Sequence, residues 1–177
     1  MSTLVKNIIR FCLFILVQVF VLDRIPPLHQ LITPYIYYLF ILWLPFKIGR
    51  RTQLLLAFFL GFALDSFSNT YGLHAAPCVL IAYLRPFLIN FLISQEGAES
   101  NYNEPSIRSM GFTSYLIYIT ILTLVHHGFL FFLQALQTGG YFYFILKTFS
   151  SAAISLLLIV LIELLFVRKQ RFRTNTI

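Results

Sequence analysis

The chain has 177 residues, of which 59% are hydrophobic, 18% aromatic and only 11% charged. Soluble domains carry about 25% charged residues, so a water-soluble globule is excluded, and the abundance of apolar side chains excludes a disordered chain. The 13 Lys+Arg against 6 Asp+Glu give +7, which in a soluble protein would suggest nucleic acid; here the membrane comes first.

A transmembrane helix needs about 20 mostly apolar residues, and six stretches meet or approach that length: 7–22, 28–46, 53–68, 73–93, 112–133 and 141–167. Together they predict a single all-α integral membrane domain, a polytopic bundle of about six helices. The first follows Lys6 and Arg10 like a signal sequence, but no small-residue cleavage site comes after it, so it reads as an uncleaved anchor. It has 12 uncharged residues between Arg10 and Asp23, and snorkelling of Lys6 and Arg10 extends it. The third has 13 between Arg51 and Asp65, about 20 Å of helix. Either the bilayer thins there, or Asp65 lies below the membrane surface, shielded by protein; the second is favoured.

Basic residues in the loops set the orientation. Lys6, Arg10, Lys47, Arg50, Arg51, Arg108, Arg168, Lys169, Arg171 and Arg173 fall on one side and Arg24 alone on the other, which predicts cytoplasmic N- and C-termini. Residues 94–110, with Glu96, Glu99 and Glu104 among Gly, Ser, Asn and Pro, read as a cytoplasmic linker. The basic tail, 168–177, suits anionic lipid headgroups, with no nucleic acid required.

Ionisable and polar groups inside spans are the functional candidates. Ala57, Gly61 and Asp65 form a small-residue stripe that ends in a carboxylate, and the turn formers from Ser66 to Gly72 follow. This is either a structured outer hairpin that binds something or helix capping in a tight connection. Arg85 continues the stripe of Cys78 and Ala82 and precedes Pro86, which frees the Ala82 carbonyl. It is either a binding cation at a kink or an arginine that takes freed carbonyls or snorkels. Pairing of Arg85 with Asp65 is a further option, opposed by their axial separation.

Thr120, Thr123 and His127 share a face with Thr113 and Gln134 and outline a candidate polar cavity, although interhelical hydrogen bonding is commoner in membrane bundles. Lys147, Ser151 and Ser155 form a similar stripe, Glu163 reads as an interfacial charge, and His29 and His74 lie at outer span ends. Adjacent His126 and His127 diverge on a helix and cannot share a metal. Cys12 and Cys78 read as reduced packing residues. No hydrolase, nucleotide or metalloprotease motif is present, so neither catalytic residues, cofactor nor metal are expected.

The run GFALDSFSNTYGLHA at 61–75, followed by VLIAYLRP at 79–86, resembles the MreD family of bacterial rod-shape-determining membrane proteins. Gly61, Asp65 and Gly72 carry the pattern, and Gln18, Pro34 and Pro45 are also similar. The resemblance implies a non-enzymatic inner-membrane component of the cell-elongation machinery. It would bind an MreC-like protein and, through it, act with MreB, RodA and a class B penicillin-binding transpeptidase in controlling cell shape and peptidoglycan synthesis. Gly61, Asp65, Gly72 and Arg85 would then shape the partner-binding surface. The family is also similar in fold to the substrate-binding S-components of energy-coupling-factor transporters. A small-molecule-binding transporter subunit, using Arg85, His127 and the threonines, is therefore the alternative.

Overall fold

Helices dominate because apolar chain in hydrocarbon must have its backbone hydrogen bonds satisfied within the protein. The computed structural model describes residues 3–24, 32–93, 102–138 and 140–165. Helix α1 (Thr3–Phe20) runs into a short 3₁₀ turn, Leu22–Arg24. A four-residue α2 (Leu39–Leu42), α3 (Arg50–Ser68), α4 (Ala75–Leu92) and the short α5 (Ile107–Met110) follow. Two long helices complete the order, α6 (Phe112–Thr138) and α7 (Tyr141–Leu165). Among the described residues there is no β-strand. His29, the linker residues 94–101 and the basic tail lie outside the described residues.

Four helices are long and apolar enough to cross a membrane: Val5–Arg24, Ala75–Leu92, Phe112–Gln137 and Phe142–Leu165. Helix α3 has comparable length, 19 residues, but carries Arg50, Arg51, Gln53 and Asp65 and is less apolar. The predicted second helix, 28–46, is corrected. Residues 32–36 lack helical structure, and only Leu39–Leu42 coil into an α-turn. Pro34 explains part of this: it supplies no N–H and disfavours helical geometry at Thr33.

This broken segment runs through the middle of the molecule. Tyr37, Tyr38, Leu39, Ile41 and Leu42 are all 0% exposed, so side chains on every face of the segment are enclosed. Around it, α3 packs on α4, α4 on α6 and α6 on α7, while α1 leans on α2 and α3. Phe58, Phe59 and Phe62 of α3 and Leu157, Leu161 and Leu164 of α7 point outward, as lipid-facing surfaces do. Cys78 is buried in the core, but Cys12 is exposed on α1, so only one of the two thiols packs as expected.

Candidate functional site

The α3–α4 hairpin is built around one carboxylate. Helix α3 ends at Asn69, whose left-handed conformation (φ 54°) turns the following Thr70 N–H back onto the Asp65 carbonyl (3.1 Å). The chain then turns through Gly72 (φ 87°), a conformation that glycine alone adopts without cost. Asp65 is fully buried. Its Oδ2 accepts from the Gly72 N–H (2.9 Å) and the Ala75 N–H (3.0 Å), and its Oδ1 from the His74 N–H (2.9 Å) and the Thr70 hydroxyl (3.3 Å).

The carboxylate therefore sits on the positive end of α4. The remaining helix-start donors are accounted for locally: Ala76 N–H reaches the Gly72 carbonyl, Pro77 has none, and Cys78 N–H reaches the His74 carbonyl. Gly61 allows the helices to come this close, because a Cβ there would lie 2.4 Å from the Ala75 Cα and 2.6 Å from the His74 carbonyl oxygen. The capping reading of this stretch holds, and Asp65 is shielded by protein. The outward side of the same hairpin presents Phe67 (57% exposed) and Tyr71 (76%).

Arg85 is 1% exposed and meets the far end of the broken segment. Its Nε donates to the Tyr118 hydroxyl (3.1 Å), its Nη1 to Gln53 Oε1 (3.1 Å) and its Nη2 to the Leu44 carbonyl. Tyr118 in turn donates to the Leu42 carbonyl (2.9 Å). The Ala82 carbonyl, left without its helical N–H by Pro86, accepts from Gln53 Nε2 rather than from Arg85. Arg85 and Asp65 do not pair. Arg85 lies ten residues along α4 from Ala75, whose N–H binds Asp65, which is about 15 Å of helix rise.

The near end of the segment is held by α1 and α7. Gln18 accepts from the Ile36 N–H (3.0 Å) and donates to the Pro34 carbonyl (3.3 Å) and to Asp23 (2.8 Å). Ser151 and Ser155 hydroxyls accept from the Thr33 and Tyr35 N–H groups, each at 3.0 Å. Backbone that would otherwise be unsatisfied in hydrocarbon is thus bonded by side chains of its neighbours, which is the condition for non-helical chain at membrane depth.

Between these ends lies a cluster of aromatic rings. The Tyr37 hydroxyl bridges His74 Nδ1 and His126 Nε2, both at 2.9 Å. Tyr38 stacks on His126 with centroids 4.3 Å apart and bonds Thr123 Oγ1 (2.9 Å). His127 bonds the Thr123 carbonyl (3.0 Å) and Ser155 (3.1 Å). The volume outlined in the sequence by Thr120, Thr123 and His127 is thus occupied beside Thr123 and His127 by Tyr35 and Tyr38, while Thr120 is half-buried one turn earlier. His126 Nδ1 is a buried atom without a hydrogen-bond partner. Lys147 donates to Gln134 (3.1 Å), and the Tyr115 hydroxyl links Trp43 Nε1 to Glu163, each at 3.1 Å.

Glu104 closes the structure at the base of α1, accepting from Lys6 and Arg10 at 2.9 Å each, while the neighbouring Asn103 carbonyl accepts from Phe46 N–H (2.9 Å). Burial opposes ionisation of Glu104, but the charges and hydrogen bonds of Arg10 and Lys6 outweigh it and hold the carboxyl below its ordinary value.

The structure places Gly61, Asp65 and Gly72 in the α3–α4 hairpin and Arg85, Thr123 and His127 in the interior, with Thr120 half-buried; the broken segment that Arg85 and the Thr123 region meet was not foreseen. Sequence reading also missed Tyr37, Tyr38, Gln53 and Tyr118. Their signal was a surplus of polar side chains facing the same interior with no complement among the other helices. Among the described residues no group of three or more His, Cys, Asp or Glu is placed to hold a metal. Compared with family models, curated proteins and solved structures, the chain matches none.

Proposed function

We propose that this chain is a non-enzymatic membrane scaffold of the cell-elongation machinery, spanning the bacterial inner membrane with both termini in the cytoplasm and docking an MreC-like protein. The observation that carries the reading is the hairpin. The stretch that resembles the MreD family, Gly61 to Gly72, is wired internally by Asp65 and presents two exposed aromatic rings, Phe67 and Tyr71, at its outer end. Aromatic side chains are favoured anchors of protein interfaces, and a rigid support lowers the entropy lost on docking. An apolar groove of about 590 Å³, lined by Phe11, Phe40, Leu56 and Phe59 among others, lies between α1 and the N-terminal half of α3, toward the other end of α3 from the two rings.

The deployment of the polar side chains supports scaffolding over transport. Discontinuous helices in transporters aim free backbone groups at a ligand, whereas Thr33, Tyr35, Ile36, Leu42 and Leu44 have theirs bonded to protein side chains. Phe67→Ser with Tyr71→Ser tests the docking. Tyr71 is exposed and Phe67 meets the Phe20 ring only edge-on, at 6.5 Å, so the double variant should insert and fold while recovering much less MreC-like protein on affinity purification. Undiminished recovery overturns the assignment of this face. Asp65→Ala and Gly61→Leu are poorer tests of docking, because each also breaks the interior of the hairpin.

A further inference from the structure

A second cavity, separate from the hairpin and the apolar groove, lies where the N-terminus of α3 faces the C-terminal half of α4. It measures about 220 Å³ and is lined by Arg50, Gln53, Arg85 and Asn90 together with Phe46 and Pro86, among others. Gln53 and Arg85 are buried, while Arg50 and Asn90 are exposed, so the cavity has a polar floor and a polar mouth. The geometry points to an anion-binding site here, one that takes a phosphate group, whether of an anionic phospholipid or in free form.

Three observations carry the inference. First, Arg85 has no acidic counterpart among the described residues. Among the described residues Asp65 binds the start of α4, Glu104 the Lys6 and Arg10 side chains, Glu163 the Tyr115 hydroxyl and Asp23 the Gln18 amide. No carboxylate of theirs lies within ion-pair distance of Arg85. A cation within a span is costly unless paired, and the bonds to neutral oxygens leave its charge uncompensated.

Second, those bonds use three of the five N–H groups of its guanidinium, leaving the second hydrogen on each terminal nitrogen for a ligand. Third, Arg50 is held in place at the mouth without spending its donors. Its guanidinium carbon lies over the rings of Tyr83 (4.6 Å) and Phe87 (5.2 Å), cation–π contacts that need no N–H donor.

Two arginines with free donor edges, plus the Asn90 amide, match the acceptor-rich, divalent character of phosphate. The cavity is smaller than the roughly 300–1,000 Å³ of sites for drug-sized ligands, so it takes a small group and not a vitamin-sized molecule. Lys47 and Arg51 flank this end of the bundle and raise the local anion concentration.

The test uses the full chain. Protein released from nanodiscs of mixed phosphatidylglycerol and phosphatidylcholine is examined by native mass spectrometry for a retained lipid. Detergent-purified protein is titrated with inorganic phosphate at constant ionic strength, read by thermal shift. Retention of phosphatidylglycerol over phosphatidylcholine, or a saturable phosphate response, is the expected result, and whichever occurs identifies the source of the group.

Arg50→Gln should weaken the interaction about five-fold, as loss of one partly exposed charge pair does. Arg51→Gln, the same charge change outside the cavity, should leave it within two-fold. Equal effects of Arg50→Gln and Arg51→Gln would show general surface attraction and overturn the site. So would the absence of both lipid selectivity and a phosphate response.

Discussion

Replacing Asp65 by asparagine keeps the shape of the side chain and removes one acceptor. The cheapest amide orientation leaves its oxygen on the Gly72 and Ala75 N–H groups and turns the NH₂ toward the Thr70 hydroxyl and the His74 N–H. One buried donor is then orphaned, at about 1–3 kcal/mol, and a negative charge at a helix N-terminus is lost, at about 0.3–1 kcal/mol. The sum is about 1–4 kcal/mol. Asp65→Ala orphans all three backbone donors as well as losing the charge. Even at the smaller value of about 0.6 kcal/mol per bond found between membrane helices, it costs about 2 kcal/mol, and at the larger values more than 4. Reversible unfolding in mixed micelles, by SDS titration followed by circular dichroism, should therefore order the variants wild type, Asn, Ala, with a clear step at each change. Stability within 0.5 kcal/mol of wild type for both would refute the capping account. Equal losses would refute its bond-by-bond form and leave only the charge.

Gly61→Ala forces a Cβ against the backbone of Ala75 and His74, where no side chain can rotate away. It should cost at least as much as overpacking usually does, about 1–3 kcal/mol, in the same unfolding measurement. Tyr118→Phe strands both Arg85 Nε and the Leu42 carbonyl and should cost about 1–3 kcal/mol, with Tyr71→Phe, at an exposed position, as the near-neutral control. The Glu104 pairs make stability pH-dependent. The folded carboxyl ionises below its ordinary value of 4.5, so its contribution is complete above that pH and falls as pH drops through the folded value. In Glu104→Gln this acid-side decline should be shallower, measured as melting temperature from pH 7 down to pH 3.

Much of the architecture could be read from hydropathy alone. Helices α4, α6 and α7 sit where the fourth, fifth and sixth stretches predict them, and the shortfall between Arg51 and Asp65 pointed to a carboxylate enclosed by protein. The second stretch could not be read this way. Residues 36–44 are buried on every side, so they show no polar face whose period would separate helix from irregular chain. Hydropathy measures enclosure and says nothing of who satisfies the backbone.

The information was present elsewhere, in Gln18, Arg85 and the stripe of Ser151 and Ser155, whose partners could not be read from their own helices. Once the broken segment is in place, each has a partner. The same segment explains Arg85 without the snorkelling or the self-capping that Pro86 suggested. For the hairpin, spacing alone showed that Asp65 and Gly72 share a turn. The third requirement, contact of Gly61 with the α4 backbone, needed the packing of two helices and was not legible along one.

The central claim, that a rigid hairpin presents Phe67 and Tyr71 to a membrane partner, is tested most directly by affinity purification from native membranes with the bound proteins identified by mass spectrometry. Wild-type protein should recover an MreC-like protein, and the Phe67→Ser, Tyr71→Ser double variant should lose most of it at equal membrane content and with its fold retained. Recovery of that partner at wild-type levels by the double variant, or no such partner with wild type, would contradict the account.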